Sequence, residues 1–316
     1  MESQGFRSGF VAIVGRPSSG KSSFLNTVCG NKVSIVTPVP QTTRRSIRGI
    51  VSRDTGQIVF IDTPGFHTSE RKFNKKMISV VRESLNDADA VLLVVDGSRQ
   101  KGEEEAAILD LVLDSQKRLI VAINKEDLDP ARTELQLKEL RDQLGRSQTE
   151  REAETELSQT PQLMTMSALD TQSAEKVVRL LIPLLPKGEP FYPPEYYTDQ
   201  DPGFRITEIV REKAMRSARQ ELPHSIYVGV QDSSTGELDP LTGQPKSLSM
   251  RLAIYVERES QKGILVGKGG SRIKEIREAA QKEINALFDY PVTLELRIKV
   301  DPKWRKDDKL LEALFD

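Results

Sequence analysis

The segment Gly15-Arg16-Pro17-Ser18-Ser19-Gly20-Lys21-Ser22 follows directly on the apolar run Phe10 to Val14. It fits the pattern GxxxxGK[ST], and Lys21 to Cys29 then carries apolar side chains at helical spacing. Strand, glycine-rich turn and helix start in that order commit the chain to an anion-binding loop on an α/β sheet. Glycines let successive backbone N–H groups curve round a phosphate, and the positive end of the helix faces the same anion. The phosphate-binding stretch is therefore Gly15, Arg16, Pro17, Ser18, Ser19, Gly20, Lys21 and Ser22. Lys21 would reach the β- and γ-phosphates of a nucleotide, and the Ser22 hydroxyl would ligate Mg²⁺.

Four more apolar runs of strand length follow: Ile58 to Ile61, Val91 to Val95, Leu119 to Ile123 and Leu163 to Met166. Between them lie amphipathic stretches, Phe73 to Leu85, Glu103 to Leu113, Leu135 to Leu144 and Ala174 to Leu185. Continuous apolar strands alternating with helices predict a doubly wound, mostly parallel α/β sheet covered on both faces. Val33 to Ile50 keeps no period and reads as a loop ahead of an edge strand. The charged stretch 143–160 reads as an exposed helix end and loop. Pro186, Pro190, Pro193, Pro194 and Pro202 mark a stiff linker over 188–203, which Phe191, Tyr192, Tyr196 and Tyr197 could pin to a domain surface. Beyond it the pattern changes to α-β-β-α-α-β, the order of a small α+β domain. A length of 316 residues fits two domains, 1–187 and 204–316, each able to bury its own core.

Three later segments choose the base. Asp62-Thr63-Pro64-Gly65 ends the second strand and is assigned to the phosphates; Asp62 would hold Mg²⁺ through water, and the Gly65 N–H would sense the γ-phosphate. Asn124-Lys125-Glu126-Asp127 ends the fourth. Asp127 can accept both N1–H and N2–H₂ of guanine, which adenine does not offer. Asn124 would tie this loop to the base and to the first loop, while the Lys125 stem packs along the ring. Ser167-Ala168-Leu169 ends the fifth strand, where the Ala168 N–H can donate to guanine O6. Ligands of open α/β sheets bind at this edge, and a site built to bond a polar edge rejects the analogue that lacks it. The set points to GTP, hydrolysed by in-line attack of water on the γ-phosphate with Lys21, Mg²⁺ and backbone donors stabilising charge.

These motifs resemble the translation-factor-related branch of Ras-like GTPases. The resemblance assigns Gln41-Thr42-Thr43-Arg44 to the first switch and implies that Thr43, with Thr42 as its rival, closes on Mg²⁺ and the γ-phosphate. Lys21, Thr43 and Gly65 then form the catalytic set. Where Ras holds a water-positioning glutamine, this chain has Phe66. Intrinsic turnover is therefore expected to be slow, raised by a partner or by K⁺. Potassium-activated relatives usually carry Asn where this chain has Ser18, whose single oxygen sits on a shorter arm, which weighs against K⁺ dependence. The adjacent His67 reads as a packed or exposed side chain rather than a base.

In the second half, Gly267-Lys268-Gly269-Gly270 opens a helix at Ser271. A GxxG turn before a helix is the clamp of KH domains on single-stranded RNA. Lys262, Lys268, Arg272, Lys274 and Arg277 surround it, opposed within 262–277 by Glu275 alone. The whole chain is balanced, 46 Lys+Arg against 47 Asp+Glu, so any nucleic-acid surface is local to such a patch. One cysteine, Cys29, excludes an internal disulfide and a cysteine-cluster zinc site and suits a reducing compartment. No signal-peptide pattern opens the chain, and no apolar run approaches the length of a membrane span.

The combination resembles the Era family, bacterial Ras-like GTPases with a C-terminal KH domain, from about Gly9 to Lys306. The likeness includes Pro190-Phe191-Tyr192-Pro193, Ile209-Val210-Arg211-Glu212-Lys213 and Glu221-Leu222-Pro223-His224-Ser225. It also includes Val256-Glu257-Arg258-Glu259, and Val292-Thr293-Leu294-Glu295-Leu296 with Lys303-Trp304. It implies an α/β P-loop GTPase domain followed by an α+β type II KH domain that binds the 3′ region of 16S rRNA in a GTP-favoured state. It further implies assistance to maturation of the small (30S) ribosomal subunit, and a cytoplasmic location with some peripheral association at the cell membrane. The chain is expected to be a monomer, and Trp304 to pack in a core rather than stack on a base. Two other readings stand beside this one. An RNA-modification GTPase would need a further catalytic module, for which this length leaves no room. A nucleotide-insensitive KH scaffold conflicts with intact Lys21, Ser22, Asp62, Asn124 and Asp127.

Overall fold

The computed structural model describes residues 5–37, 45–66, 72–151, 161–218, 225–240, 245–304 and 307, the side chains of 72–76 and 145–151 excepted. The chain divides into two compact units between Asp199 and Gln200.

The first unit runs β1 (Arg7–Val14), α1 (Lys21–Cys29), β2 (Ile47–Arg53), β3 (Gly56–Asp62), α2 (Lys72–Asp87) and β4 (Ala90–Asp96). It continues through α3 (Glu103–Asp114), β5 (Arg118–Asn124), α4 (Pro130–Arg151), β6 (Gln162–Met166) and α5 (Thr171–Leu181). The strands form one six-stranded sheet in the order β2-β3-β1-β4-β5-β6. All neighbours are parallel except β2, which runs antiparallel along β3. β3 and β4 are buried along their whole length, which is why their residues form continuous apolar runs. The parallel registers set Ile13 opposite Asp62, Asp96 opposite Asn124, and Asn124 opposite Met166. They thereby bring the motif-bearing strand ends to one edge of the sheet.

The proline-dense stretch is split. Residues 188–199 lie on the first unit, whereas Pro202 and Gly203 already belong to the next helix. Gln57 of β3, fully buried, fastens the stretch: its Oε1 accepts from the backbone N–H of Phe191 (2.8 Å) and Tyr192 (3.0 Å), and its Nε2 donates to the Tyr192 carbonyl (2.7 Å). Phe191 packs on Phe10 at 5.0 Å, the Ile50 N–H of β2 donates to the Tyr197 carbonyl (2.9 Å), and Arg48 pairs with Asp199 (3.1 Å).

The second unit runs α6 (Pro202–Ser217), β7 (Tyr227–Thr235), β8 (Leu248–Val256), α7 (Glu259–Val266), α8 (Ser271–Leu287) and β9 (Val292–Val300). The Asp201 carboxylate caps α6 by accepting from the Phe204 N–H (3.0 Å). In the sheet β7-β8-β9 the first pair is antiparallel and the second parallel, joined by the α7–α8 crossover. β9 alternates buried and exposed residues, so Val292, Leu294, Leu296 and Ile298 join one core with Ile206, Ile209 and Val210 of α6 and Ile276, Ala280 and Ile284 of α8. Trp304 is fully buried, its Nε1–H donating to the Ser225 carbonyl (3.2 Å), in line with the core role expected for it.

Candidate nucleotide and RNA sites

α1 begins behind Gly20, whose φ of +103° favours glycine and where a Cβ would lie 2.0 Å from Asn124 Nδ2. No side chain caps this helix, so its first N–H groups point out of the turn toward an anion. Lys21 is buried, and its ammonium donates to the carbonyls of Gly15 (2.9 Å) and Arg16 (2.8 Å). Burial pulls its pKa down to about 8, against the opposing pull of the Asp62 carboxylate.

Above pH 8 the free protein sheds the Lys21 proton, which a bound phosphate would restore. Nucleotide binding then takes up a proton, so affinity is expected to be level up to pH 8 and to fall above it, by at most about tenfold per unit for one proton. Calorimetry of GDP binding at pH 7 and 9, in two buffers of different ionisation heat, reads that proton directly. The sign for stability is opposite: the unfolded chain keeps the proton to about 10.5, so the free fold gains stability as pH rises from 8 toward 10.5.

At the end of β3, Asp62 Oδ2 accepts from Ser22 Oγ (2.7 Å) and from Ser34 Oγ (2.8 Å). Hard oxygen donors, one of them a carboxylate, fit Mg²⁺, an ion that otherwise keeps waters and phosphate oxygens. Ser34 lies in a stretch with no motif or period to mark it; Asn26 of α1 holds it there by accepting from the Val33 and Ser34 N–H groups (both 2.8 Å). The Thr63 hydroxyl turns inward. The side chain is fully buried and donates to the Ile13 carbonyl (2.8 Å), so its hydroxyl serves the strand pair rather than a phosphate. Pro64 is buried; Gly65 lies against Pro17, and the Phe66 N–H donates to the Gly15 carbonyl (3.2 Å). The Phe66 ring is buried in the core with Val81 and Leu85 of α2 and Val91 and Leu93 of β4.

Asn124 joins two loops. Its Nδ2 donates to the Ser19 carbonyl (2.7 Å), and its Oδ1 accepts from the Ala168 N–H (2.7 Å). The Ala168 donor expected to face guanine O6 is therefore already engaged inside the protein. Ser167 is held by its N–H donating to Ser173 Oγ (3.0 Å). Lys125 donates to Asp96 at 2.6 Å, a partner the sequence reading missed although it ends a buried strand at the same edge. Burial would raise the Asp96 carboxyl, but hydrogen bonds from Lys125 and Ser98 outweigh it and hold the group below its usual range. Asp127 is exposed, and its carboxylate bonds to no described residue. The Arg16 guanidinium pairs with Glu104 and Glu105 of α3, at 2.6 Å each, so any part of Arg16 in holding phosphate falls to its backbone. Ser18 is exposed in a left-handed conformation (φ +63°), and Ser19 Oγ is buried without a hydrogen-bond partner among the described residues. Gln41, Thr42, Thr43, Arg44 and His67 lie outside the described residues.

In the second unit α7 ends at Gly267, where φ is +73° and a Cβ would meet the Arg272 N at 2.9 Å. Gly269 and Gly270 are also left-handed, and α8 starts without a side-chain cap. The turn thus offers backbone N–H groups at a helix start. Lys268 is exposed and pairs with no described residue. Arg272 is spent on the turn itself, donating to the Ile264 carbonyl (3.0 Å). Lys262 and Lys274 make only exposed pairs, with Glu259 (3.7 Å) and Glu278 (3.9 Å), which hold them weakly.

Fold and site together define a P-loop GTPase domain followed by a KH domain. Sequence profiles agree: one described as 50S ribosome-binding GTPase matches residues 10–125, and one described as KH domain matches 221–305. The chain belongs to the Era family of GTPases: it is 44% identical over 307 residues to GTPase Era of Treponema denticola, covering 97% of this chain and 99% of that relative. It is 40% identical over 310 residues to GTPase Era of Borreliella burgdorferi strain ZS7, covering 98% and 100%. A crystal structure of an Aquifex aeolicus Era variant bound to GDP·AlF₄⁻ matches with a TM-score of 0.83 and 33% identity over 98% of this chain and 99% of that one. A structure of Era with MgGDPNP and nucleotides 1506–1542 of 16S ribosomal RNA matches at 0.82 and 32% identity, over 98% of each chain.

Proposed function

We propose that this chain couples GTP hydrolysis to binding of the 3′ region of 16S rRNA, assisting maturation of the small ribosomal subunit. One observation carries the reading: an Asp127 with no partner among the described residues, at the base loop, and a Gly267–Gly270 turn with left-handed glycines occur on the same chain. The likeness to Era holding MgGDPNP and 16S rRNA supports it. Asp127 grips the guanine edge, Asn124 braces the loops around it, and Lys21 takes the β- and γ-phosphates. Ser22 and Asp62 hold Mg²⁺, which when bound neutralises charge on those phosphates. Water attacks the γ-phosphate in line, while Lys21 and the Gly65 N–H stay on the oxygens that gain charge. Thr43 completes this set in the proposal. With Phe66 turned into the core, the residue in the place of Ras's water-guiding glutamine does not reach the water, so turnover is slow until a partner supplies the guide. The lone hydroxyl of Ser18 speaks against K⁺ in that part. On the RNA side the loop N–H groups and Lys268 hold the sugar-phosphate chain, Arg272 stiffens the turn, and Lys262 and Lys274 add attraction at longer range. The proposal extends to a cytoplasmic monomer that associates peripherally with the inner face of the cell membrane, supported by the family resemblance.

A labelled 16S 3′-end oligomer tests the coupling, with a scrambled oligomer as control. Tighter binding with a non-hydrolysable GTP analogue than with GDP is expected. Equal binding of both oligomers removes the RNA assignment, and equal affinity in both nucleotide states removes the coupling.

A further inference from the structure

Arg16 occupies two structures at once. Its carbonyl accepts from the Lys21 ammonium (2.8 Å) and from the Ser19 N–H (3.3 Å), so its backbone shapes the loop around the phosphate-binding lysine. Its side chain leaves that loop: Nε lies 2.6 Å from Glu104 and an Nη 2.6 Å from Glu105. The three side chains are 22%, 16% and 12% exposed, so water screens the cluster only in part. Both glutamates sit in the first turn of α3, where the helix field favours acids, and Glu105 also accepts from the Gly102 N–H (2.8 Å) that starts the helix. Hydrolysis of GTP gives no reason for a phosphate-loop cation to face away from phosphate and into two carboxylates.

We propose that the Arg16–Glu104–Glu105 cluster is a latch that positions the phosphate loop against α3 and sets the rate at which guanine nucleotide leaves. The planar guanidinium faces two carboxylates at once, donating through an Nη to Glu105 with its Nε in charge contact, though not hydrogen-bond alignment, with Glu104; this fixes the direction of the Arg16 side chain and, through the residue's carbonyl, the place of Lys21. Opening the loop to release nucleotide strains or breaks this half-buried cluster. Arg16 is a positioning residue here, not a catalytic one. The inference rests on the nucleotide assignment above.

Release of a fluorescent GDP analogue from the full chain tests it. The double change Glu104→Gln and Glu105→Gln keeps an oxygen for the Gly102 N–H, so the helix start survives while the ion pairs go. Release is expected to quicken by about tenfold, with single-turnover hydrolysis altered by less than about twofold. Arg16→Lys, which keeps the charge but not the planar guanidinium, should release nucleotide at a rate between the unaltered chain and the double variant, and serves if the double variant loses its folded melting transition. Adding Arg16→Ala to the double variant should change release little further, because one cluster cannot be broken twice. Unchanged release in the glutamine variant, or effects of Arg16 and the glutamates that simply add, overturn the latch. An unaltered chain that fails to bind the analogue at all would instead remove the nucleotide assignment.

Discussion

Asp127→Asn is expected to turn the chain from a GTP binder into a xanthosine triphosphate binder. The carboxylate stands exposed after β5 and bonds to no described residue, so its capacity for two N–H donors is unspent. An amide in its place sets a donor against a guanine donor, while xanthine offers a carbonyl there. Sites that bond a polar edge discriminate by up to ~10⁴–10⁵-fold, and GTP affinity should drop by at least about 10²-fold as xanthosine triphosphate overtakes it. Competition of the two triphosphates against a fluorescent GDP analogue measures the exchange. Because the exposed Asp127 bonds to no described residue, the melting temperature should move by less than about 2 °C. An unchanged preference contradicts the assignment of the base loop.

Asn124→Ala should show the reverse balance, with stability lost along with affinity. Asn124 is buried, and its amide satisfies the Ser19 carbonyl and the Ala168 N–H, both at 2.7 Å. Alanine leaves two buried groups unmatched, at about 1–3 kcal/mol each. A unit of this size shifts by about 2–4 °C per kcal/mol, so melting should fall by roughly 4–24 °C. Nucleotide affinity should fall with it, since the phosphate loop and the Ala168 loop lose their common tie. A melting point that moves no more than that of Asp127→Asn would show that these two bonds do not brace the site.

The contrast marks what a sequence can carry. β3 and β4 were legible because strands covered on both faces must be apolar throughout. β2 was expected as an edge strand and lies there, but its antiparallel course depends on pairing with β3, which no local pattern encodes. The motifs landed together because strand register aligns their ends. Which donors remain open did not follow from them. The Thr63 hydroxyl, the Ala168 N–H and the Arg16 guanidinium all belong to motif residues, yet each bonds to a partner 50, 44 or 89 positions away. Such bonds are tertiary facts. The GxxG turn was better marked, since its glycines take left-handed angles that residue type itself foretells.

The strap over 188–199 bears on solubility as well as on domain boundaries. β2 is the outermost strand on its side of the six-stranded sheet, and its backbone would otherwise offer a free row of donors and acceptors. A chain ending before Pro190 would bare that row and strip the buried Gln57 amide of its bonds to Phe191 and Tyr192. Such an edge invites a second copy to add its own strand. At the edge itself the Tyr197 carbonyl takes the Ile50 N–H and the Thr198 hydroxyl donates to the Arg48 carbonyl, so two of the edge groups are already spent within the chain, and the prolines that precede them carry no N–H to continue a ladder.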